Sequence, residues 1–210
     1  MAMDIRRIRF TIISEMLGTN PGVKEIHEEF IASKAPDAET RQQELEHMPK
    51  EELVNKEMTV FYRNPETNEI EIPNHWIYGF CKSACGYLRR VDGTKSKKLT
   101  SYKKVIDGLI KAFPDAKNPR GRFFTLHLPE GGEVGTCQRP LRAQTMQGER
   151  VALANSETVP EGSWFECDII AIDPKLWDVI EEWLDYGIYS GMGQWRNSGK
   201  GAFTWEYVNQ

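Results

Sequence analysis

This chain has little histidine and little cysteine, four of each in 210 residues. The histidines His27, His47, His75 and His127 are scattered. No HExxH spacing, GxSxG elbow or Ser-His-Asp set is present, so the common hydrolase machineries are excluded. A GxxxxGK[ST] phosphate loop is missing as well. Cys81 and Cys85 stand one helical turn apart, while Cys137 and Cys167 are isolated and no CxxC pair exists. Two thiolates on one metal is one reading of Cys81 and Cys85. The spacing favours the other, reduced buried thiols, because zinc sites use closer pairs or histidine partners. No apolar run approaches the roughly 20 residues that span a bilayer. The segment Met1–Arg7 lacks the apolar stretch of a signal peptide, and the expectation is a cytoplasmic protein with no membrane contact. Internal repeats and low-complexity tracts are absent too.

What is present is enough for one domain over 1–210. Hydrophobic residues make up 40% of the chain, and six Trp and nine Phe supply large buried area. The net charge of -4 is unevenly spread. Lys82 to Arg122 holds twelve Lys/Arg against three Asp/Glu, whereas Asn20 to Val60 holds five against ten and Leu128 to Gly187 four against twelve. A basic block within an acidic protein reads either as a surface for a nucleic-acid backbone or as solvated helix faces and loops.

The pattern begins with a strand at Ile5–Ser14, apolar residues alternating with arginine. Val23–Ala35 and Asp37–Asn55 read as helices, the second interrupted by Pro49. Together they make an acidic helical insertion or flap at 20–57. A hairpin follows, Met58–Arg63 with Glu69–Ile72 about an Asn/Pro turn. Asn74 is placed as N-cap of a helix reaching Arg90. Its Gly79 and Gly86 lie one heptad apart and share a face open to close approach. Ser101–Phe113 reads as another helix. Strands are expected at Phe123–Leu128, Cys137–Met146, Arg150–Asn155 and Ser163–Ile172. Asp173-Pro174 opens a last helix, and Ala202–Val208 forms the closing strand. Strands and helices mixed without strict alternation indicate α+β, helices on one face of a mostly antiparallel sheet.

The most informative segment is the glycine-rich loop before the last strand, with Gly191, Gly193, Gly199 and Gly201 around Trp195, Arg196 and Lys200. Glycine lets backbone come close to a phosphodiester. Arg196 and Lys200 would neutralise it and Trp195 would stack on a base. The plain alternative is a turn closing the domain against the first strand. A second candidate runs through Lys95, Lys97 and Lys98 and through Lys117 to Arg120 and Arg122. Arg89, Arg90, Lys103 and Lys104 extend that path, and Tyr102, Phe123 and Phe124 are nearby aromatics. Each of those aromatics also suits core packing. His127 and His75 are the only reasonable acid–base picks. Glu166 and Asp168 share a strand face, read as metal ligands or, more simply, as solvent-facing residues.

Three pieces resemble the RAMP superfamily, the RNA-binding subunits of CRISPR effector complexes. They are the first strand, Ile72-Pro73 opening a helix with Gly79 and Lys82 and then Arg89-Arg90, and the terminal helix, glycine loop and strand. Small phage and prophage proteins look similar. The resemblance implies a ferredoxin-like or RRM-like antiparallel sheet with helices on one face. It also implies a non-catalytic protein without metal or cofactor, binding RNA or single-stranded DNA. CRISPR effector subunits, or copies of the chain side by side along a strand, are the implied partners. A second reading is a phage inhibitor that binds an effector complex, its acidic segments mimicking nucleic acid. A nuclease on the same fold is disfavoured by the sparse histidines.

Overall fold

A computed structural model describes residues 3–22, 37–48, 58–145 and 148–208, without the side chains of 41 and 141–152. In chain order the elements are β1 (Asp4–Ile12), β2 (Met16–Leu17), β3 (Asn20–Pro21), α1 (Ala38–Glu46), β4 (Met58–Val60), β5 (Tyr62–Arg63), β6 (Ile70–Pro73), α2 (His75–Leu88), α3 (Tyr102–Leu109), β7 (Ile110–Phe113), β8 (Phe123–Thr125), β9 (Gly135–Thr145), β10 (Gly148–Val159), β11 (Trp164–Ala171), α4 (Trp177–Asp185) and β12 (Phe203–Tyr207).

β1 organises the fold because its side chains alternate strictly. Ile8, Phe10 and Ile12 are fully buried, and the alternate residues Arg7 and Arg9 point to the other face. The same alternation buries Phe165, Cys167, Ile169 and Ala171 in β11. The sheet order is β12-β1-β11-β7, and every neighbouring pair is antiparallel. With α2 and α3 between β1 and β7, and α4 between β11 and β12, the path is β-α-β-β-α-β. That is the α+β, ferredoxin-like arrangement.

The core lies between this sheet and its helices. Phe10 stacks on Phe165 at 4.8 Å, and Phe203 meets Phe10 and Phe80 edge-on. α2 contributes Trp76, Ile77, Phe80, Cys81, Ala84 and Cys85, and α4 contributes Trp177, Val179, Ile180, Trp183 and Leu184. Asp173 caps the approach to α4 by accepting from Lys175 N at 3.1 Å, with Pro174 in the first turn. Cys81 is wholly enclosed, and burial pushes its thiol up to about 12. Among the described residues no three His, Cys, Asp or Glu side chains converge as metal ligands would.

Four local expectations change. The segment read as one helix, 101–113, turns into strand after Leu109. Ile110 and Ala112 alternate inward there and pair with Ala171 and Ile169 of the central sheet. The hairpin is shorter than read: Tyr62 and Arg63 pair with Glu71 and Ile70, while Met58–Val60 leaves to join β10 and β3 in another sheet. Asn74 stands at the N-cap position as read, but its side chain makes no cap bond and donates instead to Ala112 O at 3.3 Å. The two strands read near 137–155 form one long hairpin, registered from Gly135 opposite Thr158 to Thr145 opposite Gly148. The helix expected at Val23–Ala35 lies outside the described residues. Of the next one, read as Asp37–Asn55, Ala38–Glu46 is α1, capped by Asp37 accepting from Thr40 N at 2.7 Å, and 49–55 lie outside the described residues.

Candidate nucleic-acid interface

The basic block folds around the C-terminal end of α2. The last turns of α2 carry Lys82, Ser83, Gly86 and Tyr87, and Arg89 and Arg90 follow. With Tyr102 of α3 they line a groove of about 510 Å³. Gly86 faces the tip of Tyr102 from α3: a Cβ there would sit 3.3 Å from the hydroxyl, a tight contact. The Arg89 guanidinium lies 5.2 Å from the Tyr102 ring centroid. Gly79, expected to share this close-approach face, is exposed with no atom within 4 Å of where a Cβ would stand. Only one of the two glycines is used for packing.

The loop from α2 to α3 is anchored from below. Glu182 of α4 accepts from Lys95 N at 2.6 Å and Ser96 N at 2.9 Å. Ser96 is fully buried and accepts from Trp183 Nε1 at 2.8 Å. This network fixes the turn Lys95–Lys98 and so sets where α3 begins.

Ion pairing separates the cations singled out by the sequence. Lys95 sits 3.9 Å from Asp178, Lys97 pairs with Asp92, Lys82 with Asp107 at 2.6 Å, and Lys200 with Glu15. Arg89, Arg90, Lys98, Lys103, Lys104, Arg120 and Arg196 have no carboxylate partner among the described residues. Four of these, Arg89, Arg90, Lys103 and Lys104, flank the groove in sequence. Arg120 and Arg122 belong elsewhere. The Arg122 carbonyl accepts from Asn74 N at 2.7 Å, which places that loop at the opposite end of α2. The 14 residues of α2 put the two ends about 21 Å apart. The structure therefore divides the continuous basic path into two separate patches.

The glycine-rich loop is folded onto the body of the protein. Met192 is buried, and its N–H donates to Gly201 O at 3.0 Å. Gly201 N donates to Glu15 O at 2.9 Å, and Gln194 N to Leu17 O at 3.3 Å. A Cβ on Gly191 would stand 2.0 Å from the Gly201 backbone, and one on Gly201 would stand 1.9 Å from Met192 O. A Cβ on Gly193 would come within 2.6 Å of Leu17 O. Gly191, Gly193 and Gly201 thus permit contact with the protein's own backbone. Gly199, at φ +78°, has open space around it. Trp195, at φ 58°, is 42% exposed, and the Arg139 guanidinium lies 5.2 Å from its ring. Arg196 follows it, exposed.

The sheet face turned away from the helices neutralises itself. Arg7 bonds Glu166 at 2.9 Å and Asp168 at 3.1 Å, and Arg9 bonds Glu166 at 2.7 Å. Burial opposes charge on Glu166, but bonds from Arg9 and Arg7 outweigh it and hold the carboxyl below the usual range. Arg9 also covers Trp164 at 4.5 Å, and His127 stacks on that indole at 4.2 Å. Glu166 and Asp168 are therefore ion-pair partners, not freely solvated residues. His75, the other histidine considered, lies 3.8 Å from Glu44. Sequence reading missed Tyr87. Its place four residues after Ser83 on the basic side of α2 was the available signal.

No protein-family model and no curated protein matches the chain in sequence. Among solved structures it is similar to a chain of Type III-B Cmr-beta bound to cognate target RNA, with TM-score 0.49 and 11% identity, over 99% of this chain and 59% of that one. It is also similar to Cmr6 from Pyrococcus furiosus, with TM-score 0.46 and 11% identity, over 97% of this chain and 99% of that one. No helix among the described residues is long and apolar enough to cross a membrane.

Proposed function

We propose that this chain is a non-catalytic nucleic-acid-binding module of the RAMP type, working in a CRISPR-related setting and holding a phosphate backbone in the groove at the end of α2. One observation carries the reading: Arg89 and Arg90, which have no carboxylate partner among the described residues, share a groove with Lys82 and two tyrosines. Cations without carboxylate partners give up no ion pair when a phosphate arrives, so their full charge is available. α3 starts at the same groove, and the positive end of its dipole offsets the negative end of α2 there. Lys103 and Lys104 in its first turn add to the field.

The acidic-mimic reading is weakened by how the carboxylates are used. Glu157 is held by Arg63 and Phe61 N, Glu166 by two arginines, Glu181 by Arg6 and Tyr207, and Glu182 by the Ser96 turn. These four carboxylates are engaged within the fold, whereas Glu130, Glu133 and Glu161 of the same segment have no ion-pair partner among the described residues.

The test is fluorescence anisotropy with a labelled oligoribonucleotide across a salt series. Three to five phosphate contacts correspond to a slope of log affinity against log salt of about -2 to -3.5. Absence of binding at low salt, or affinity indifferent to salt, overturns the proposal.

A further inference from the structure

Three tyrosine rings lead away from the basic groove. Tyr87, in the last turn of α2, lines the groove and is 51% exposed. Its ring centroid lies 6.3 Å from that of Tyr186, just beyond α4. Tyr186 in turn lies 5.8 Å from Tyr189. Tyr189 is 72% exposed, the highest value for a large hydrophobic residue among those described, and Ile188 beside it is 45% exposed. Tyr186 is partly buried against the core, whereas Tyr87 and Tyr189 are exposed. Asp185, the carboxylate nearest in sequence to Tyr186, accepts from Trp205 Nε1 at 2.9 Å, which holds it in place and leaves its negative charge beside the track.

We infer that Tyr87, Tyr186 and Tyr189 form a track on which successive unpaired bases of a single strand stack as the strand leaves the groove. The inference rests on the proposed function and specifies its substrate as an unpaired strand. The geometry favours unpaired bases for two reasons. A duplex hides its base faces between neighbouring pairs, so only unpaired bases can lie on an aromatic ring. The ring spacings of 6.3 and 5.8 Å also exceed the rise of about 3.4 Å per stacked base along a duplex strand. Successive rings are tilted by 38° and 48°, so each offers its own surface and the bases must separate to use them. Stacking tolerates any base, so the track adds affinity for single strands without sequence preference. Phosphates held by Arg89 and Arg90 would deliver the strand to Tyr87, which belongs to both features.

The experiment measures full-chain binding to a labelled single-stranded oligoribonucleotide and to a duplex containing the same sequence, with the pairs Y87L/Y189L, Y87F/Y189F and R89Q/R90Q. Tyr186 is left intact because it packs against the core. The expected result is a loss of about tenfold or more in single-strand affinity for Y87L/Y189L, with a much smaller loss for the duplex and with Y87F/Y189F binding the single strand far better than Y87L/Y189L. Unchanged single-strand affinity in Y87L/Y189L, with loss in R89Q/R90Q, overturns the track and leaves the groove standing. Retained affinity in both overturns track and groove together. Equal loss for single strand and duplex in Y87L/Y189L means that the tyrosines only shape the groove, and also overturns the track. Intact RNA binding in Y87L/Y189L accompanied by loss of a co-purifying protein would assign the tyrosines to a protein interface instead.

Discussion

Replacing Arg89 and Arg90 together by glutamine is expected to weaken RNA binding roughly a hundredfold at low salt, from the loss of two charge-assisted contacts. The slope of affinity against salt should fall by about 1.4, close to 0.7 for each single-strand phosphate no longer neutralised. The fold should barely notice. Both residues are exposed, neither has a carboxylate partner among the described residues, and surface changes of this kind stay within about 0.5 kcal/mol. A small further loss of stability, about 0.3–1 kcal/mol, comes from removing cations at the negative end of the α2 dipole. Arg120 provides the contrast. It is equally exposed and basic, but its loop sits at the far end of α2. Arg120→Gln should leave affinity close to that of the original chain. An equal loss per charge removed in the two variants would mean that total charge, not the groove, drives binding.

Alanine at Gly191 or at Gly201 is expected to destabilise the protein by several kcal/mol, enough to leave little folded chain. The new methyl carbon would stand 2.0 Å from the Gly201 backbone in one case and 1.9 Å from Met192 O in the other. Neither obstacle is a flexible side-chain tip, so the loop would have to separate from Met192 and from the strand beside it. That movement would break the Met192 N to Gly201 O bond and the Gly201 N to Glu15 O bond, and would unseat buried Met192. Gly201 also holds φ +71°, which costs any other residue roughly 1–2 kcal/mol. Gly199→Ala is the control. It shares the positive φ but has no neighbour within 4 Å, so only the conformational cost of about 1–2 kcal/mol applies. Thermal unfolding of the three variants distinguishes the cases. A stable, folded Gly191→Ala would show that this glycine is not needed for packing and would return it to consideration as a ligand-facing residue.

These two results bear on what the sequence could reveal. The fold was legible where one period ruled. Alternation in Ile8, Phe10 and Ile12 and in Phe165, Cys167 and Ile169 defines two central strands without any tertiary information. α2 and α4 follow from their apolar stripes. Residues 110–113 were read as helix because α3 runs into them without a proline, and only pairing with β11 selects the strand. Asn74 has the chemistry of a cap, but Ala112 O, far away in sequence, claims its side chain.

The site was legible in part for a similar reason. A charge count locates the basic block but does not tell which lysines are already paired. Lys82, Lys97 and Lys200 have carboxylates as neighbours only after folding. The glycine loop carries the residue types of a phosphate cradle, and its N–H groups at 192, 194 and 201 turn out to be bonded to the protein itself. Tyr186 and Tyr189 lie about a hundred residues from Tyr87, and no spacing rule joins them.

The measurement closest to the central claim is photocrosslinking of the full chain to RNA containing 4-thiouridine, with the linked peptides identified by mass spectrometry. The expected result is crosslinks concentrated between residues 82 and 104, with Tyr87 and Tyr102 foremost. Crosslinks confined to the glycine loop at 191–201 or to the loop at 115–122, with none on α2 or α3, would contradict it.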